Sequence, residues 1–146
     1  MPFTLCHPAL VLPLNAGAGR FTSLPALVIG SMTPDFVYFL HLGANGALSH
    51  SWIGIIAHCL PTGLVAYILY HTLLRDAFIA WAPEAISSRM EMEPPWLPRN
   101  ARAVAIVLAS LALGAASHIA WDALTHANTL PVTRLGLLRS PIAIGN

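Results

Sequence analysis

AVAIVLASLALGAASHIAWDALT, residues 103–125, is the stretch on which the reading of this chain turns. It carries no formal charge until Asp122, and about 20 apolar residues in a helix suffice to cross ~30 Å of hydrocarbon. Ala109, Ser110, Ala112, Gly114, Ala115 and Ala116 crowd its middle. Small residues of this kind let helices approach closely inside a bilayer. A second stretch, WIGIIAHCLPTGLVAYILYHTLL over residues 52–74, has the same character. Only His58, Thr62, His71 and Thr72 interrupt it, with Pro61 as a kink that neighbouring helices can accommodate.

Composition points the same way. The chain is 56% hydrophobic and 9% charged, against roughly 25% charged in an ordinary soluble domain. Lysine is absent, and all seven basic residues are arginine. So few charges cannot cover a water-exposed surface. At a net charge of +1 there is no basic patch large enough to argue for nucleic acid, so no nucleic-acid partner is expected. Cys6 and Cys59 lie far apart without CxxC spacing and read as small buried residues. No secretory signal is expected, because the first positive charge is Arg20 and Pro8 and Pro13 interrupt the apolar start.

Upstream of the long stretches lie two shorter helical candidates. One runs from Pro8 to about Leu14, followed by a turn over Asn15–Arg20. The other is capped by Thr22 or Ser23, has Pro25 in its first turn, and is ended or kinked at Pro34. A rival reading makes residues 24–42 one continuous span with Asp35 inside it. Residues 75–102, rich in charge and holding Pro94, Pro95 and Pro98, read as a loop. The expected fold is all-α: a single membrane-embedded domain over residues 1–146, with about four helices. Two long spans (about 52–74 and 103–125) join an N-terminal short helical hairpin, with membrane lipids as surroundings. The oligomeric state stays open.

The polar residues collect on this layout. His7 opens the first short helix, Asp35 closes the second, and His50 precedes the first long span. His118, Asp122 and His126 sit at the far end of the second. Helices joined by short turns run antiparallel, so all six converge at one end. His118, Asp122 and His126 follow i, i+4, i+8 spacing and share one helix face. An aspartate at the centre of a bilayer costs about 2.5–3.5 kcal/mol and requires a partner, water or a metal.

Six such donors exceed the four of one structural zinc. Mixed imidazole and carboxylate donors suit zinc, manganese or iron, and a multinuclear site could activate water for hydrolysis. The alternative is a hydrogen-bonded polar seam that only fixes helix packing. Asp35 could equally be a turn residue after Pro34, and His7 joins the group only if the hairpin forms. His41, His58 and His71 read as packing or interfacial residues, and Trp52 and Trp121 as interfacial anchors. Gly17-Ala-Gly19 is too short to be a phosphate loop. Ser49-His50-Ser51 is mere adjacency, which does not build a nucleophile–base pair.

MPFTLCHP (1–8), ALVIGSMTPDF (26–36), Ser49-His-Ser51 and SHIAWDALTH (117–126) resemble, over nearly the whole chain, an uncharacterised bacterial membrane-protein family, the domain of unknown function 4184. Cys6 stands where serine is more usual. Members usually continue past Pro141 into further hydrophobic helices, which makes truncation at the C-terminus the expectation. More distantly, the pattern is similar to membrane-bound metal-dependent hydrolases and to the zinc-dependent phospholipase C and P1 nuclease group. That resemblance implies His7, Asp35, His50, His118, Asp122 and His126 as metal ligands, zinc as the metal, and Asp35 as general base. Arg20, Arg75, Arg89, Arg99 and Arg102 fall away from the cluster and Arg134 and Arg139 beside it. The positive-inside rule then puts the cluster on the extracytoplasmic face of a bacterial inner membrane. Three readings follow: a metal-dependent hydrolase of a phosphoester or lipid, a non-catalytic membrane protein, and a transporter component. The last ranks lowest because the polar residues cluster at one end. Whether the chain is an enzyme stays open at this level.

Overall fold

The computed structural model describes residues 6–39, 46–91 and 100–125. Within them lie five helices and no strand. We number these α1 (Pro8–Ala18), α2 (Leu24–Phe39), α3 (Trp52–Trp81), α4 (Glu84–Glu91) and α5 (Ala101–Thr125). Helices α3 and α5 are long and apolar enough to cross a membrane.

Local chemistry sets where these helices start. Ser51 caps α3, its Oγ accepting from the Gly54 amide at 3.0 Å. Asn100 does the same for α5, its Oδ1 accepting from the Ala103 amide at 2.9 Å. Each satisfies one of the amides that a helix start leaves without a partner.

Helix α2 packs along α5, and both run in the same direction. The Ser23 amide donates to Ser110 Oγ at 3.0 Å. A Cβ on Gly114 would collide with the Leu27 carbonyl, and one on Gly30 with the Leu111 carbonyl. Further along, His118 Nδ1 meets the Ser31 carbonyl at 2.7 Å. The backbones therefore touch where both helices carry glycine, and the contacts recur with the i, i+4 period of facing helix ridges. The offset of 87 residues that pairs Ser23 with Ser110 and Ser31 with His118 also relates Asp35 to Asp122. The same packing row thus ends on two carboxylates.

Helix α3 departs from plain α geometry twice, at Ile55–Cys59 and Tyr70–Leu74. There the Leu60 amide reaches back to the Ile55 carbonyl and the Arg75 amide to the Tyr70 carbonyl, five residues each way. Pro61 has no amide hydrogen to give, and a widened turn beside it re-pairs the backbone.

One open choice is decided and two expectations are revised. Pro34 interrupts α2 without ending it, in keeping with the alternatives of a kink or a continuous helix as far as Phe39. It tightens one turn, Thr33–Asp35, and the helix resumes over Phe36–Phe39. The Gly30 carbonyl, which the missing Pro34 amide would have served, accepts from Thr33 Oγ at 2.7 Å. Helix α1 extends to Ala18, so the turn shrinks to Gly19–Phe21. Much of the loop expected over residues 75–102 is helical: α3 continues to Trp81, and α4 follows directly after Pro83. One charged pair, Arg75 and Asp76 at 3.7 Å, sits on the helix surface without breaking it.

Candidate metal centre

Five of the six residues singled out in sequence meet at one place; His126 lies outside the described residues. His118 and Asp122 come from the last turns of α5, one turn apart on the same face. Asp35 comes from the tightened turn of α2, buried with Thr33 and Pro34. His7 stands at the start of α1 and is buried.

His50 is delivered by the turn before α3. The Leu48 carbonyl lies where a Cβ on Gly54 would sit, so this turn can fold back against the helix start. The Gly46 carbonyl then accepts from the His50 amide at 3.0 Å. Ser49 Oγ donates to the same carbonyl at 3.0 Å.

Both α5-side and turn-side histidines are oriented through Nδ1. In His118, Nδ1–H donates to the Ser31 carbonyl at 2.7 Å. In His50, Nδ1–H donates to the Gly46 carbonyl at 3.0 Å, with Ser49 Oγ 3.1 Å away. A backbone acceptor at Nδ1 fixes the tautomer and leaves Nε2 to point into the site.

What the Nε2 atoms face is carboxylate oxygen. His50 Nε2 lies 3.1 Å from Asp35 Oδ1 and 3.6 Å from Asp122 Oδ2. His118 Nε2 lies 3.3 Å from Asp122 Oδ2 and 3.6 Å from Asp35 Oδ1. His118 is 0% exposed, and its Nε2 has no hydrogen-bond partner. A neutral imidazole lone pair set against carboxylate lone pairs is repulsive. The arrangement is favourable only with a cation, either a proton or a metal, between them. The hydrogen bond with Asp35 raises the His50 pKa above the ordinary imidazole value, against the opposing effect of burial; the Gly46 carbonyl and both carboxylates add to the rise.

His7 reaches the group differently. Its ring stacks on that of His118, centroids 3.8 Å apart and planes 14° from parallel. Its Nε2 lies 3.4 Å from Asp122 Oδ1, while Oδ2 is the oxygen 3.6 and 3.3 Å from His50 and His118. Tyr38 flanks His50 with ring centroids 5.9 Å apart.

Two sets of three donors have ligand atoms within 4.8 Å of one another: His7 with Asp35 and His118, and His50 with His118 and Asp122. Imidazole with carboxylate is the donor chemistry of zinc, manganese or iron. The contributions of Ser31, Gly30 and Gly46 escaped the sequence reading because they act through backbone atoms. The row Ser110, Gly114, His118, Asp122 at four-residue steps was the available signal.

The family model described as "Domain of unknown function (DUF4184)" matches residues 1–146. The chain belongs to this family. No curated protein and no solved structure gives a match. Membership in DUF4184 assigns no activity, so the chemistry has to be argued from the cluster itself.

Proposed function

We propose that this DUF4184 protein is a membrane-embedded metal-dependent hydrolase whose His/Asp cluster acts on a phosphoester at the level of the lipid headgroups. The observation that carries the reading is His118: a fully buried imidazole, locked in one tautomer, with Nε2 3.3 and 3.6 Å from two carboxylates and hydrogen-bonded to neither. When bound there, zinc or another divalent transition metal supplies Lewis acidity toward water and a phosphoryl oxygen. Asp35 turns Oδ1 toward both histidines, and its carboxylate is the best-placed base for the proton of the attacking water. The Ser31 and Gly46 carbonyls hold the two imidazoles in orientation throughout.

Exposed tryptophans support the membrane setting. Trp52 and Trp81 bound α3 and are exposed; at 1.5 Å per residue they stand about 43 Å apart, close to the ~40–45 Å of a bilayer with its headgroups. Trp52 and Trp121 flank His50 and Asp122 in sequence, as interfacial anchors beside the site would. Arg75 and Arg102 fall toward the other ends of α3 and α5, which favours an extracytoplasmic cluster.

The test is elemental analysis of the purified chain, followed by hydrolysis of a chromogenic phosphodiester and of phospholipid in mixed micelles. At least one equivalent of transition metal, with turnover lost in Asp35→Asn, is expected. Less than one equivalent after reconstitution rules the reading out.

A second reading has its own observation. The pairs His50–Asp35 and His7–Asp122 can tie the turn before α3 to α2 and the start of α1 to α5 through shared protons alone. In that case His118→Ala lowers thermal stability in detergent while a chelator does nothing. Equal destabilisation by chelator and mutation rejects this reading.

A further inference from the structure

Asp35 and His50 arrive on separate pieces of chain, the tightened turn of α2 and the turn before α3, yet His50 Nε2 stands 3.1 Å from Asp35 Oδ1. Such a spacing is kept only where the surrounding groups hold both segments in place. Between them lies the first widened turn of α3, Ile55–Cys59, which packs against the turn Thr33–Asp35.

The last residue of that widened turn reaches both segments. Of the two cysteines that the sequence read as small and buried, Cys6 is exposed and Cys59 is buried. The Cys59 thiol donates to the Ser49 carbonyl at 3.5 Å. Ser49 directly precedes His50 and is itself buried, and its hydroxyl donates to the same Gly46 carbonyl that orients His50. On the other side, the thiol interacts with the side chain of Thr33, which is fully buried and stands two residues before Asp35.

Cys59 also belongs to an apolar cluster with Ile55, Ala115 and Ile119. Any small side chain would serve in that capacity, since a buried thiol packs as a small hydrophobe. What separates the two roles is the donor. An apolar replacement leaves the buried Ser49 carbonyl without the thiol, and a buried polar group without its partner is costly.

We infer that Cys59 is a positioning residue of the metal centre: its thiol ties the turn carrying His50 to the turn carrying Asp35 and so sets the spacing of that imidazole and that carboxylate. Cys59 lies outside both sets of close donors, so it acts through His50 and Asp35 and not as a ligand. The inference rests on the metal-binding reading above and adds to it a residue from α3, a helix that contributes none of the five clustered side chains.

Cobalt(II) tests this without any assay of activity. The full chain in detergent, stripped with chelator and titrated with cobalt(II), is expected to bind the ion without the near-ultraviolet charge-transfer band of a cobalt–thiolate bond. Cys59→Ala should stay helical and monodisperse and bind cobalt about 10–100-fold more weakly, as loss of an outer partner does. Ile119→Val removes packing from the same apolar cluster and should leave the affinity unchanged. Cys59→Ser keeps a donor at that place and should recover most of the loss. Cys59→Val, which fills the place without a donor, serves if the alanine variant does not fold.

A thiolate band makes Cys59 a ligand and overturns the positioning role. A folded variant without the donor that binds as tightly as the wild type overturns it too, as does a loss matched by Ile119→Val. A serine variant as weak as the alanine variant overturns the hydrogen bond as the means. A wild-type chain that binds no cobalt overturns the metal reading itself, and this inference with it.

Discussion

Helices α3 and α5 are alike in length and apolar character and opposite in how they use it. The buried face of α5 holds Ser110, Gly114 and His118 beside Leu111 and Ile119. The face that α3 leaves uncovered holds Ile53, Ile56, Val65 and Leu73, each more than half exposed. A water-soluble protein sorts its residues the other way, with polar groups outward and large aliphatics inward. In the proposed bilayer the sorting is rational. Lipid covers aliphatic side chains at no cost, so packing between helices comes from small residues and the few polar contacts they permit. The contrast teaches that the small middle of α5 is what lets α2 come close enough for the Ser31 carbonyl to meet His118.

The sharpest way to break the contrast is to enlarge α5 where it touches α2. Gly114→Leu places a side chain against the Leu27 carbonyl and Ser31 amide, neither of which can move aside as a side chain can. Overpacking of this kind usually costs about 1–3 kcal/mol. A backbone clash should exceed that range, abolishing cooperative unfolding in detergent and, because the Ser31–His118 contact is lost, metal binding too. A cooperative Gly114→Leu protein with normal metal content would show that the close crossing is not what aims His118.

The outward face of α3 offers the next largest effect. Val65 lies near the middle of the helix and is exposed. Arginine at the centre of a span costs about 2.5–3.5 kcal/mol on insertion scales, whereas an exposed site in water would register within about 0.5 kcal/mol. Val65→Arg should therefore sharply reduce the membrane-integrated fraction in a glycosylation-mapping or protease-protection experiment. Unchanged integration would argue that water covers this face.

On the proposed function, the buried face should answer to metal. Zinc at 100 times its dissociation constant should stabilise the wild type by about 2.7 kcal/mol through mass action. The shift in melting temperature should vanish in His118→Ala and persist in Trp52→Phe, which leaves all five clustered side chains in place. A zinc-induced shift of equal size in His118→Ala would place the ion elsewhere. The smallest effect concerns the turn below Asp35. Thr33→Val removes the hydroxyl that serves the Gly30 carbonyl and should cost about 1 kcal/mol in chemical unfolding, lowering zinc affinity only modestly.

The two long helices and the convergence of His7, Asp35, His50, His118 and Asp122 were legible in sequence for the same reason. Both follow from helix periodicity and from short connections that return the chain to one end. The parts that were not legible depend on non-local partners. At Pro34 the sequence left an end, a kink and a continuous helix open; the choice rests on Thr33, whose amide and Oγ both donate to the Gly30 carbonyl. Charged residues after Leu74 suggested a loop, but Arg75 and Asp76 lie on a helix surface and do not oppose its hydrogen bonding. The stacking of His7 on His118 was not legible either, since it depends on how α1 packs against α5.

The two widened turns of α3, at Ile55–Cys59 and Tyr70–Leu74, carry a consequence for how this chain tolerates change in length. Each holds about one residue more than an ordinary turn, and each therefore advances the phase of everything after it by about 100°. Helix α3 contains, in effect, two slack links. Removing a residue within either one should relax it to ordinary pitch and leave the helix whole. In α5 the same deletion between Gly114 and Asp122 has no slack to absorb it, and it would turn His118 or Asp122 out of the row that faces α2.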